Sequence, residues 1–258
     1  MNFYFDRTTT NEILFFVLTN EQIHQLEELS LPEGIAHIAA MFPGKVVFST
    51  SLGQEDQVLT DVIFRNKLPV KIFTIDTGRL FNETYELLDR IEARYRNKVS
   101  VFFPEAADVE SFVQTKGINS FYESVDNRKE CCHIRKVKPL NRALAGARVW
   151  ITGLRAEQSG NRQQMPMIEW MEDRQLYKFN PLIRWSYEDM MGYIHQHNVP
   201  YSPLHDKGFV SIGCAPCTRA IEPGEDARAG RWWWESSHKE CGLHSSIANV
   251  INKQVEAK

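Results

Sequence analysis

The run Lys45-Val-Val-Phe-Ser-Thr-Ser-Leu-Gly-Gln-Glu-Asp56 joins three apolar residues to a polar turn with one glycine, then opens a helical pattern. Val46-Val47-Phe48 is too short for a helix and suits a buried strand, and a helix is predicted near residues 57–65. The alternation repeats downstream: a strand over 70–75, a helix near 82–96, a strand over 99–103, a helix near 108–114 and a strand over 149–152. Strands alternating with helices mark parallel strands joined by crossover helices, so the fold class is α/β, a parallel twisted sheet with flanking helices. Ligands in such sheets sit beyond the carboxyl ends of the strands, which directs attention to the residues that follow each one.

After the first strand, Ser51-Leu-Gly53-Gln-Glu55-Asp56 is a polar loop opening a helix, where small residues and the helix N-terminus favour an anion. It matches neither Gly-x-x-x-x-Gly-Lys-Ser/Thr nor Gly-x-Gly-x-x-Gly, and an ordinary capped turn would read the same way. After the second strand, Asp76-Thr77-Gly78-Arg79 offers an acid and a base able to bracket a ribose and a phosphate, or to form a solvated pair. After the strand over 149–152 comes Gly153-Leu-Arg155 through Arg162, a long polar loop whose two arginines suit either an anion clamp or a solvated surface.

Away from this centre, Ile23, Leu26 and Leu29, then Ile35, Ile38 and Ala39, predict two short amphipathic helices over 20–29 and 33–41, to which no chemistry is assigned. Residues 168–179 alternate around Glu172-Asp173-Arg174, predicting a hairpin, and Ser186-Tyr-Glu-Asp189 reads as a capping box before a helix over 190–197. The chain thus divides into an N-terminal helical segment (1–44), an α/β domain (45–220) and a C-terminal tail (221–258), expected to be mobile from its glycines and arginines.

With 258 residues, 43% of them hydrophobic, the chain can bury one substantial core. A formal charge of −3 argues against a general nucleic-acid binder, while a small anionic ligand held by a few local cations remains compatible. The start, Met-Asn-Phe-Tyr-Phe-Asp-Arg, lacks a basic region before a long apolar run, and the apolar stretch over 13–18 is too short to span a membrane. A cytoplasmic protein with reduced thiols is expected, in which five cysteines point to metal and catalysis before disulfides.

Those cysteines fall as Cys131-Cys132, Cys214-Ala-Pro-Cys217 and a lone Cys241. A Cys-x-x-Cys pair alone suits a metal, a cluster or a redox disulfide. Two plus two makes a four-thiolate set and leaves Cys241 as a fifth thiol. Adjacent cysteines fit a structural zinc ion poorly, whereas a cubane presents several metal corners, so the pattern favours a four-iron four-sulfur (4Fe-4S) cluster. Arg128, Lys129, Arg135 and Lys136 surround the first pair, and such charge stabilises thiolates. Pro139 is expected to end or kink any helix begun there. The histidines show no metal-binding spacing; His133, His238 and His244 alone lie near cysteines. Arg231-Trp-Trp-Trp234 reads as a packing segment with its arginine outward.

Together, Ser51-Leu-Gly53-Gln-Glu55-Asp56, Asp76-Thr77-Gly78-Arg79, Cys131-Cys132 with Lys136, Gly153-Leu-Arg155 through Arg162, Cys214-Ala-Pro-Cys217 with Arg228 and Arg231, and Lys239-Glu-Cys241-Gly-Leu-His244 resemble the assimilatory adenylyl-sulfate reductases of the phosphoadenylyl-sulfate reductase family. The resemblance runs from about Lys45 to His244. It implies a fold like that of the adenine nucleotide alpha hydrolases and reduction of adenosine 5′-phosphosulfate to sulfite and AMP with thioredoxin as donor. It further implies a 4Fe-4S cluster on Cys131, Cys132, Cys214 and Cys217, and Cys241 as the nucleophile. Substrate contacts are implied for Lys136, Arg162, Arg228 and Arg231, and the other motif positions, among them Arg155 and His244, are carried over with them. Relatives that cleave ATP carry Ser-Gly-Gly-x-Asp-Ser at the first loop; Leu52 stands here in place of a glycine, which weakens an ATP reading. A homo-oligomer is compatible with the resemblance. The rival readings are a reductase of the 3′-phosphorylated substrate, or of both, and a non-catalytic iron-sulfur nucleotide sensor.

Overall fold

The computed structural model describes residues 18–158 and 162–235. Two capped helices come first. Thr19 and Gln22 form a capping box for α1 (Asn20–Glu28), and Ser30 with Glu33 forms one for α2 (Leu31–Met41), whose first turn also holds Pro32. The chain then alternates through β1 (Val46–Ser49), α3 (Gln54–Arg65), β2 (Lys71–Ile75), α4 (Asn82–Tyr95), β3 (Ser100–Phe102) and α5 (Ala106–Lys116). Next come α6 (Val125–Cys132), a π-helical turn (His133–Val137), α7 (Lys138–Leu144) and β4 (Val149–Ile151). The hairpin β5 (Ile168–Met171) and β6 (Leu176–Phe179) precedes α8 (Tyr187–His197), which Ser186 caps with Asp189.

The six strands lie in the order β3-β2-β1-β4-β6-β5. Neighbours pair in parallel except β5 with β6, so the expected parallel sheet carries one antiparallel edge strand. The connection explains it: four residues separate β5 from β6, and a parallel pairing needs a far longer crossover.

Alternation along the strands divides the core into two layers. Val46, Phe48, Ile72, Ile151 and Phe179 pack on one face against Leu26, Ile38, Val58, Leu87 and Ile194, so α1 and α2 belong to the same core as the sheet. On the other face Val47, Phe73, Trp150 and Leu176 meet Leu140 and Leu144 of α7. Among the described residues no helix is long and apolar enough to cross a membrane.

Pro139 neither ends nor breaks the helical run. The sequence expectation counted its missing N–H as a break, but it sits in the first turn of α7, where the wider π turn just before it already interrupts the ordinary bond ladder.

Candidate active site

β1 and β4 are sheet neighbours, although β1 continues in sequence to β2 on its other side. This reversal of strand order opens a crevice between the loops leaving their carboxyl ends. Asp56, in the first turn of α3, ties the two loops together. Its Oδ2 accepts from the Ser51 N–H at 2.5 Å and the Ser51 hydroxyl at 2.7 Å, and its carboxylate also accepts from the Gly153 backbone. Burial dominates its titration and, despite these donors, pushes the carboxyl up from 3.8 to about 7. A Cβ on Gly153 would stand 2.1 Å from Asp56 Oδ1, so only glycine allows the approach. Leu52, between them, has φ +64°, the left-handed region that favours glycine, and is held there with its side chain buried and its N–H on Thr50 Oγ1 at 3.0 Å.

The crevice opens into a pocket of about 470 Å³, within the range that holds a small ligand. Ser51, Gly53, Glu55 and Asp56 line it from the first loop, and Arg155 and Arg162 from the loop after β4. Lys136 from the π turn joins them, together with Arg228 and Arg231. Lys136, Arg162 and Arg231 are buried. Arg155 is engaged by wall acids: its Nε meets Glu55 Oε1 and one terminal nitrogen meets Glu157 Oε2, both at 2.9 Å. Arg231 does not face outward. Its guanidinium stacks over the buried Trp232 at 4.9 Å and passes where a Cβ on Gly213 would stand 2.3 Å away, so glycine there lets the cation turn inward.

Asp76, Gly78 and Arg79 stand outside the lining of this pocket, though Thr77 belongs to it. The Asp76 carboxylate accepts from the Gly78 N–H at 2.7 Å and the Tyr85 hydroxyl at 3.0 Å. Arg79 donates to the Ile118 carbonyl and Asn119 Oδ1, lies 4.8 Å over Phe121, and faces a second, smaller cavity.

That second cavity gathers Cys131, Cys132, Cys214 and Cys217, with Arg79, Arg128, Arg135 and Lys136 in its wall. The cysteines of α6 and those of the Ala215–Cys217 turn lie far apart in sequence, yet their thiols are unbridged and pack with Phe121 and Trp232. Among the described residues no group of three or more His, Cys, Asp and Glu converges on one point as a ligand shell for a single ion. A 4Fe-4S cluster spreads its four thiolates over separate irons rather than converging them on one, and the four thiols here share one cavity ringed by cations, with a free volume of about 10 Å³ between them. Burial raises the Cys214 thiol, but Lys136, the Thr77 hydroxyl at 3.2 Å, Arg231 and Arg135 outweigh it and bring it below the usual value. Cys217 is pushed up to about 12, first by burial and then by Cys214, and burial also raises Cys131. Lys136 and Cys214 line both cavities, so the thiol set and the cationic pocket share a wall.

The sequence reading missed His205, which lines the main pocket with Nε2 buried and without a partner among the described residues. No metal-type spacing marks it; the signal was its place just before Gly208-Phe-Val-Ser-Ile-Gly-Cys214, a stretch that also contributes Val210 to Gly213 to the wall. His133 is exposed. Cys241 and His244, with His238 and Lys239, lie outside the described residues.

Fold and crevice together define the class: an α/β protein with a pocket of small-ligand size at the switch point of a mostly parallel sheet, beside a cavity of thiols. Residues 45–220 match the family model described as the phosphoadenosine phosphosulfate reductase domain, and the chain belongs to that family. It is 52% identical over 200 residues to the adenosine 5′-phosphosulfate reductase of Allochromatium vinosum, covering 77% of this chain and 78% of that protein. It is 51% identical over 235 residues to the protein of the same name from Rhizobium meliloti, covering 88% of each. Among solved structures it resembles phosphoadenylyl-sulfate reductase from Candida auris in its phosphate complex, with a TM-score of 0.66 and 32% identity over 79% of this chain and 98% of that one.

Proposed function

We propose that this protein is an oxidoreductase of sulfate assimilation that reduces adenosine 5′-phosphosulfate to sulfite and AMP, in the cytoplasm, with reduced thioredoxin as donor. The observation that carries this reading is the shared wall: a pocket lined by Lys136, Arg162, Arg228 and Arg231 opens onto Cys214 of the four-cysteine cavity. Relatives about half identical to this chain and named for the unphosphorylated substrate favour it over the 3′-phosphorylated one.

In this reading the cations hold the sulfate and phosphate oxygens of the mixed anhydride and stabilise the charge that develops on the departing phosphate. The Cys241 thiolate attacks the sulfate sulfur; the S–O bond to AMP breaks, AMP leaves with the electron pair, and a thiosulfonate remains on Cys241. A thioredoxin thiolate attacks Cys241 Sγ and expels sulfite. The second thioredoxin thiol closes its disulfide and releases Cys241, so two electrons from the dithiol account for the reduction of sulfur. Cys131, Cys132, Cys214 and Cys217 would hold the 4Fe-4S cluster, with Arg79, Arg128, Arg135 and Lys136 offsetting its charge. When bound, the cluster supplies a structural and electrostatic centre beside the anion pocket, and neither displacement draws an electron from it. The test is sulfite release from both adenylated substrates with reduced thioredoxin. Turnover of adenosine 5′-phosphosulfate supports the reading; release from the 3′-phosphorylated substrate alone, or from neither, contradicts it.

A further inference from the structure

Family resemblance favours the substrate without a 3′-phosphate, but the wall containing His205 offers a physical reason, which rests on reading the main pocket as the nucleotide site. His205 Nε2 is buried in that wall with no partner among the described residues, and an orphaned polar atom in a pocket is a place for a ligand group. Burial lowers the ring's proton affinity below its ordinary value and outweighs Glu55 and Asp206, acidic neighbours that act the other way, so burial favours the neutral ring. Glu55 lines the same pocket from the first turn of α3. The nearby guanidinium of Arg155 is already engaged by Glu55 and Glu157. By contrast Lys136 and Arg231, which also line the pocket, act on Cys214. The pocket therefore has a cationic side next to the thiols and a side rich in acceptors at His205 and Glu55.

We propose that His205 Nε2, together with the Glu55 carboxylate, accepts a hydrogen bond from the ribose 3′-hydroxyl of the bound adenine nucleotide and so discriminates against a 3′-phosphate. The logic is that of dinucleotide sites, where a carboxylate on a ribose hydroxyl welcomes the hydroxyl and repels a phosphate in its place. A neutral imidazole with its proton on Nδ1 presents a lone pair from Nε2, which suits a hydroxyl donor and gives a phosphate oxygen nothing to bind. The phosphate would also face the Glu55 carboxylate, whose own cation, Arg155, is already shared between Glu55 and Glu157.

Calorimetric binding of AMP, 3′-deoxy-AMP and adenosine 3′,5′-bisphosphate to the full chain tests this without requiring turnover. The wild type should bind AMP at least about tenfold more tightly than the other two, the scale of one buried hydrogen bond with its unsatisfied acceptor. His205→Leu should weaken AMP by several-fold, leave the other two unchanged, and thus reduce the preference to what Glu55 alone supports, while His205→Gln, which retains an acceptor, restores part of it. Equal weakening of all three nucleotides would show a packing role and overturn the proposal. So would loss of discrimination against N6-methyl-AMP in place of 3′-deoxy-AMP, which would put the donor on adenine. If His205→Leu does not fold, Glu55→Gln is read the same way: an unchanged ratio of AMP to bisphosphate affinity overturns the proposal. A wild type that prefers AMP but releases no sulfite would contradict the proposed function and leave this inference standing.

Discussion

Gly153 is fixed as glycine by Asp56, whose carboxylate and backbone nitrogen occupy the space a side chain would need. Gly153→Ala should cost about 1–3 kcal/mol of stability, as overpacking does, and weaken nucleotide binding because the two loops at the switch point separate. Urea unfolding with AMP titration on the same variant checks both. Asp56 itself makes stability depend on pH. Its folded-state value of about 7 lies above the ordinary 3.8, so the folded protein binds the extra proton between those values. Its contribution is therefore fully present below about pH 4 and is lost as pH rises through 7, amounting to a few kcal/mol. Unfolding of wild type against Asp56→Asn from pH 4 to pH 8 should show the wild type losing its advantage across that window; a constant difference would contradict the assignment. That the first loop opens a helix and belongs to the crevice was legible from its polar, glycine-containing turn, but the closeness of Asp56 to Gly153 was not, because their contact joins segments from two strands that only the sheet brings together.

At the scale of elements, α6 and the π turn do most of the positioning. The π turn carries both Arg135 and Lys136 inward; Arg135 donates to the Thr77 carbonyl at 2.7 Å, and Lys136 reaches the shared wall. Sequence showed cations crowding the cysteines but not their direction, since an extra residue in a helical turn rotates everything after it and leaves no mark in composition. α6 is also joined to the end of the described chain. Arg128 meets Glu235 in a buried ion pair at 2.6 Å and lies 4.4 Å over Trp232, so one guanidinium links the cysteine helix to the segment leading toward Cys241. Arg128→Leu leaves Glu235 buried without its charge partner and should destabilise the fold by about 3–5 kcal/mol, whereas Arg128→Leu with Glu235→Leu should recover much of that loss. Chemical denaturation of the single and double variants measures it; equal stability of all three would show that the pair contributes nothing.

For the whole molecule, strand and helix alternation from Lys45 was enough to give the α/β class, because β1, β2, β4 and their helices are short apolar runs with clear polar borders. The antiparallel hairpin was legible from the alternation over 168–179 around Glu172-Asp173-Arg174, but its place at the sheet edge and the inward turn of Arg231 were not: both depend on packing, the second on the space Gly213 leaves. Bringing together Cys131-Cys132 and Cys214-x-x-Cys217 was legible as a pairing of motifs, and one cavity now contains all four. Protein purified without oxygen should accordingly contain iron and acid-labile sulfide, and Cys131→Ser should lower both; stoichiometric zinc without sulfide would contradict the cluster. The most direct test of the proposed chemistry is to incubate the protein with adenosine 5′-phosphosulfate in the absence of any thiol donor and locate the product by peptide mass spectrometry. The account predicts AMP release with a sulfonate on Cys241, none on Cys241→Ser, and sulfite freed when reduced thioredoxin is added. A sulfonate on another cysteine, or turnover by Cys241→Ser, would contradict it.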